Sequence, residues 1–206
     1  MPFIHGVAED SATGLLAEFF ASDRKSWGYL PNLATTFGNR PEVYQARRQL
    51  NGAIKVSMDP RRYELVTLAA AIALRSSYCS LAHGRVLAQG FMSEEEVIGL
   101  VADPDSAAFP PVDRAVISLA RKIVRGAADV TDEDIVGLRN RGLSDGEIFD
   151  VVLAAAARCF FSKTLDFFSK TLDATGTTPD AAFAQLPPPL RDALTVGRPI
   201  DLAGRP

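Results

Sequence analysis

The chain has 206 residues, 47% of them hydrophobic and 23% charged, with a formal net charge of −3. That is enough to bury a real core, and the acidic balance offers no basic stripe for a phosphate backbone, which excludes a nucleic-acid binder. No apolar run approaches the roughly 20 residues of a membrane span, and Met1 to Gly14 lacks the basic start and apolar stretch of a secretory signal. Two cysteines, Cys79 and Cys159, make no disulfide framework, so a reducing cytoplasm is the expected setting.

Helix signals dominate from the N-terminus onward. Ser11 precedes an amphipathic run with Leu15, Leu16, Phe19 and Phe20 on one face. After a loop with Gly28, Pro31 and Gly38, Asn39-Arg40-Pro41 opens a second helix to about Val56. Asp59-Pro60 is a cap and first-turn pair for a third, carrying Glu64, Leu65, Leu68 and Ile72. Ser93 with Glu96, Ser144 with Glu147, and more weakly Thr131 with Asp134, read as capping boxes. About eight helices are expected, and almost no strand, so the fold class is all-α.

Two repeats stand out. Long alanine-rich helices at 61–74 and 112–125, followed by Gly90-Phe91-Met92-Ser93 and Gly142-Leu143-Ser144, suggest a duplicated helical unit. Phe160 to Asp166 recurs letter for letter at 167–173. Heptad spacing makes this a sticky helical stripe rather than a cofactor site. The chain divides into one helical domain, 1–180, and a Pro-rich irregular tail, 181–206.

The chemistry concentrates at Cys79 and His83, four residues apart on one helical face and within hydrogen-bonding reach. Ser76 or Ser77 is a natural N-cap, placing Cys79 in a first turn where the helix dipole favours a thiolate by about 0.3–1 kcal/mol. Glu64 can meet His83 only if the chain bends near Arg75-Ser76 and folds the two helices together. The bland reading is a small buried thiol and a structural histidine. Cys159, among alanines and phenylalanines, reads as buried and inert. With only two histidines in the chain, no metal site is expected, and no cofactor.

The stretch from Glu64 to His83 resembles the signature of the alkylhydroperoxidase D-like proteins, which group with the carboxymuconolactone decarboxylases. That signature is a glutamate, a cysteine, a second cysteine three residues on, and a histidine four beyond it; Glu64, Ser76, Cys79 and His83 hold those places. The resemblance covers about 26–176 and includes Trp27 to Leu33, the run from Asp132 to Gly142, and Leu143-Ser144-Asp145, which look like the peroxidase-related branch. It implies a helical bundle assembled as a homo-oligomer, a trimer or hexamer. It also implies Cys79 as nucleophile and Glu64 with His83 as proton relay. Ser76 replaces the resolving cysteine, so the internal two-cysteine cycle is closed to this chain. Three functions follow as expectations. The first is a one-cysteine peroxidase reducing hydroperoxides with an external thiol. The second is a cofactor-free proton-transfer enzyme acting on a small carboxylate or lactone. The third is a non-catalytic relative.

Overall fold

A computed structural model describes residues 4–166 and 180–197. In chain order the α-helices are α1 (Gly14–Trp27), α2 (Asn32–Phe37), α3 (Pro41–Ser57), α4 (Pro60–Ala73) and α5 (Ser77–Gly90). They continue as α6 (Glu94–Ala102), α7 (Pro111–Gly126), α8 (Asp132–Arg139), α9 (Asp145–Asp166) and α10 (Pro188–Leu194). Three short 3-10 turns, Glu9–Ser11, Ala127–Asp129 and Ala181–Gln185, complete the regular structure, and the described residues contain no strand. None of their helices is long and apolar enough to cross a membrane.

The caps explain most boundaries. Asp59 accepts the Arg62 amide at 2.8 Å and Pro60 supplies the first turn of α4. Ser93 and Glu96 exchange reciprocal bonds at the start of α6, as do Ser144 and Glu147 at the start of α9. Ser11 does not cap α1; it belongs to the preceding 3-10 turn, and Thr13 occupies the N-cap.

At the centre lies α4, buried without a break from Tyr63 to Ala71. A helix buried on every side through this run has no solvent face to offer there, and the alanines let neighbours approach closely. It packs against α5, α7 and α9, and α7 in turn packs against α9. Arg61 ties the start of α4 to Asp113 of α7 through two hydrogen bonds of 3.1 and 2.7 Å. The α3 helix lies along α9.

The tail expected from 181 onward is partly built into the domain. Asp180, Phe183, Leu186, Leu190 and Leu194 are buried, and α10 packs on α5 and α6. Leu194 lies over Gly84 so closely that a Cβ there would come within 2.4 Å of it, and Gly197 donates its amide to Ser77 Oγ at 2.9 Å. Prolines fix the entry to α10 rather than abolishing structure, because Pro188 sits at the helical start where no amide is needed. Of the heptad repeat, the first copy ends α9, with Phe161 buried and Phe160 half exposed; the second copy lies outside the described residues.

Candidate active site

The site is made by the turn between α4 and α5. Helix α4 ends with Arg75 N–H bonded to Ile72 O and Ser76 N–H to Ala71 O, both 2.9 Å, the paired bonds of a left-handed helix stop. Arg75 occupies the left-handed position, with φ of 58°, where glycine is the usual residue. The next residue, Ser76, already caps α5: its Oγ accepts the Cys79 amide at 3.4 Å. The anticipated bend at Arg75-Ser76 is therefore present, and it folds α5 back along α4.

That reversal brings Glu64 of α4 to His83 of α5, with Oε2 2.6 Å from Nδ1. Lys55 of α3 approaches the other oxygen of Glu64 at 3.5 Å and sits over the Tyr63 ring. Burial, and after it the positive charge of Arg158, holds the His83 pKa below its usual value of 6.5. Burial also pushes the Glu64 carboxyl up, but His83, Lys55 and Arg158 outweigh it and keep the acid below 4.5. These two shifts pull against each other, since a neutral imidazole attracts Glu64 less than a charged one. A neutral His83 beside an ionised Glu64 is compatible with both directions, since the imidazole still donates a hydrogen bond to the carboxylate alongside the charges of Lys55 and Arg158. Nδ1–H then donates to Glu64 and the second ring nitrogen keeps its lone pair.

Cys79 is 3% exposed, and its sulfur accepts a 3.6 Å hydrogen bond from Arg158 Nη1 of α9. The expected Cys79–His83 bond gives way to this one: the histidine turns Nδ1 to Glu64 and the sulfur turns to the guanidinium. Arg158 itself is buried, and burial works against its charge while Cys79, Tyr63 and Glu64 favour it, with a net rise in pKa. Ser76 is fully buried and committed to the cap. All four expected positions thus share one locality.

Arg158, Lys55 and Arg47 were not anticipated. Arg158 had a signal: one arginine set in Ala154-Ala155-Ala156-Ala157-Arg158-Cys159-Phe160-Phe161 is a charge in an apolar run, which requires a buried partner. Arg47 and Lys55 had none, since α3 carries charges along its length. Cys159, on the same helix, is half buried rather than fully buried, and burial pushes its thiol pKa up.

The next face of α5 floors a separate cavity of about 210 Å³, walled by Trp27, Tyr29, Tyr78, Arg85 and Phe183. At its edge Asp180 accepts from Tyr78 Oη at 2.7 Å, Tyr29 Oη at 3.1 Å and the Asn32 amide at 2.7 Å. Despite these donors, burial leaves the Asp180 pKa raised.

Residues 41–122 match the carboxymuconolactone decarboxylase family, a span that runs from the start of α3 into α7 and holds Glu64, Ser76, Cys79 and His83. No curated protein sequence matches the chain significantly. Among solved structures, the fold is similar to an alkylhydroperoxidase AhpD core, a peroxidase-related protein from Ralstonia eutropha JMP134. The TM-score is 0.77 at 19% identity, covering 88% of this chain and 94% of that one. It is also similar to a peroxidase-related protein from Silicibacter sp. TM1040, with a TM-score of 0.71 at 17% identity over 85% and 95% of the two chains. The debrominase Bmp8 has the same fold, with a TM-score of 0.74 at 16% identity over 93% and 97%. Residues 41–122 are thus similar to the carboxymuconolactone decarboxylase family, and the chain carries that segment in an alkylhydroperoxidase D-like helical fold.

Proposed function

We propose that this protein is a thiol-dependent enzyme that reduces hydroperoxides through one reactive cysteine, Cys79, and draws electrons from an external thiol. The carrying observation is that Cys79, Arg158, Glu64 and His83 form one buried cluster with the guanidinium on the sulfur and the carboxylate on the imidazole. The neutral imidazole of His83 takes the Cys79 proton, directly or through water, and Glu64 stabilises the imidazolium. Arg158 stabilises the thiolate. The sulfur attacks the terminal oxygen of the hydroperoxide and the O–O bond breaks. Cys79 becomes a sulfenic acid, and the alkoxide leaves as alcohol with the proton from His83. An external thiol displaces hydroxide, released as water, to give a mixed disulfide, and a second external thiol frees Cys79. This route needs no cysteine at position 76.

One observation favours a second reading. The Glu64–His83 pair is complete without the sulfur, so it could move protons next to a carbonyl or carboxylate while Cys79 stays unreacted. Related structures do not separate the two, since the debrominase, solved with 2,3,4-tribromopyrrole, shows a third use of the fold.

The test is intact-mass analysis after treatment with cumene hydroperoxide and a sulfenic-acid trap, alongside dithiothreitol-driven turnover. We expect an adduct on Cys79 and turnover abolished by Cys79→Ser. Glu64→Gln should reduce turnover about 100-fold, the usual scale of lost acid–base assistance. A wild-type Cys79 that stays unmodified while hydroperoxide remains, with no dithiothreitol-driven turnover, would overturn this reading and favour the second.

A further inference from the structure

Buried charges in proteins are ordinarily paired, because an uncompensated ion loses its hydration for nothing in return. Even the partly buried Arg48, Arg61, Arg62 and Arg121 each meet a carboxylate. Arg47 and Arg158 do not. Among the described residues neither forms an ion pair, and the Nε of each is enclosed without a hydrogen-bond partner. Both guanidinium carbons lie within 5.2 Å of the Phe161 ring centre, and Arg47 also stands over Phe37 and Tyr44. The one polar contact they share out is Arg158 Nη1 to the Cys79 sulfur. Glu64 is the nearby carboxylate, and it is shared with His83 and Lys55 and reaches Arg158 only through space, so two guanidinium groups stand beside one thiol without an ion pair of their own. A Cys79 thiolate answers one of them.

We propose that Arg47 and Arg158 form a subsite for a carboxylate carried by the substrate, seated against Phe161 so that the adjoining reactive atom faces the Cys79 sulfur. The proposal rests on Cys79 being the reacting group and narrows the substrate to a hydroperoxide that also bears a carboxylate. Arg158 holds the sulfur with one nitrogen and offers Nε–H to the carboxylate. Arg47, half buried on α3, supplies the second donor and the approach from solvent. Phe161 lends an apolar wall for the carbon next to the acid.

Two alkylating agents of nearly the same size read this directly. Iodoacetate carries a carboxylate next to its reactive carbon; iodoacetamide does not. Cys159 in the same molecule is the reference thiol, and peptide mapping gives both rates. The iodoacetate-to-iodoacetamide rate ratio should be about tenfold higher at Cys79 than at Cys159, the scale of one charge-assisted hydrogen bond. Arg47→Gln should return it to the Cys159 value, Arg47→Lys should keep part of it, and benzoate should slow labelling of Cys79 alone. A Cys79 ratio equal to or below that of Cys159, or a Cys79 that neither reagent labels, would overturn the subsite. Turnover of neutral cumene hydroperoxide is independent of this readout. A normal ratio with intact turnover removes the subsite only, and a raised ratio without turnover removes the peroxidase reading only.

Discussion

Glu64 and His83 are separated by nineteen positions in the chain and by 2.6 Å in the fold, and the residue that joins them is Arg75 in its left-handed turn. The pair is held as carboxylate and neutral imidazole, which fixes how the protein should respond to acid. Both pKa values lie below their ordinary values of 4.5 and 6.5, so across these windows the unfolded chain binds more protons than the folded one. The stability His83 contributes is complete above its unfolded value and is lost as pH falls through its folded value. The Glu64 contribution is lost further down. Calorimetry from pH 8 to pH 4 should therefore show Tm falling on acidification, beginning below about pH 6.5. His83→Gln should remove the upper part of that fall. A wild-type Tm that rises between pH 7 and 5.5 would contradict the neutral assignment.

Ser76 caps α5 and faces the Cys79 amide. Ser76→Ala should lower stability by about 1 kcal/mol, the usual loss at an N-cap. Ser76→Cys places two sulfurs three residues apart at a helix start, the spacing of dithiol redox sites. After mild oxidation, intact mass should show two hydrogens lost and mapping should show a 76–79 disulfide. Two free thiols would mean that these side chains do not face each other.

Arg75 takes a backbone conformation that costs an L-residue about 1–2 kcal/mol and costs glycine little. Arg75→Gly should raise stability by up to about 1 kcal/mol once the greater freedom of glycine in the unfolded chain is subtracted. Urea unfolding reads this, and a lower midpoint would show that the arginine side chain contributes more than its backbone loses.

Asp180 gathers two tyrosine hydroxyls and a backbone amide. Asp180→Ala strands these donors and should cost about 3 kcal/mol, whereas Asp180→Asn keeps an acceptor for Asn32 and should cost about 1 kcal/mol. The ordering of the two variants in a thermal melt is the measurement. An equal loss would mean that the carboxylate charge, not the acceptor geometry, is what matters.

We propose that the exposed Val43 and Leu50 of α3 and Phe149 and Phe160 of α9, two helices in contact, form a surface on which copies of the chain assemble. We expect light scattering at micromolar concentration to give a multiple of the chain mass, and Leu50→Glu with Phe149→Glu to bring it down to one chain. A wild-type monomer would leave these side chains without that role.

The helices and most of their caps were legible because their signals are local: Asp59-Pro60, Ser93 with Glu96, and Ser144 with Glu147 act within one turn. Glu64, Ser76, Cys79 and His83 came together through the resemblance to the family signature, and the meeting of Glu64 with His83 was conditional on a bend near Arg75-Ser76, which the structure contains. The partner of the sulfur was not legible, because Arg158 lies 79 positions away and reaches it only through the packing of α9 on α4. Short α2 and α10 were missed since six and seven residues carry too little periodicity to read. The prolines before α10 suggested irregular chain, yet it is leucines at Leu190 and Leu194, spaced one turn apart, that dock it.

The contact of Leu194 with Gly84 makes the two positions one unit of inheritance. A side chain at 84 would occupy the space of Leu194 Cδ2, so Gly84→Ala alone would force the Leu194 side chain out of its present position against α5. Paired with Leu194→Ala, the same change would be accommodated, with a smaller apolar contact as its residue. Mutations at the far end of the chain are therefore accepted or rejected according to what the centre already holds. The history of position 194 can be read only together with that of position 84.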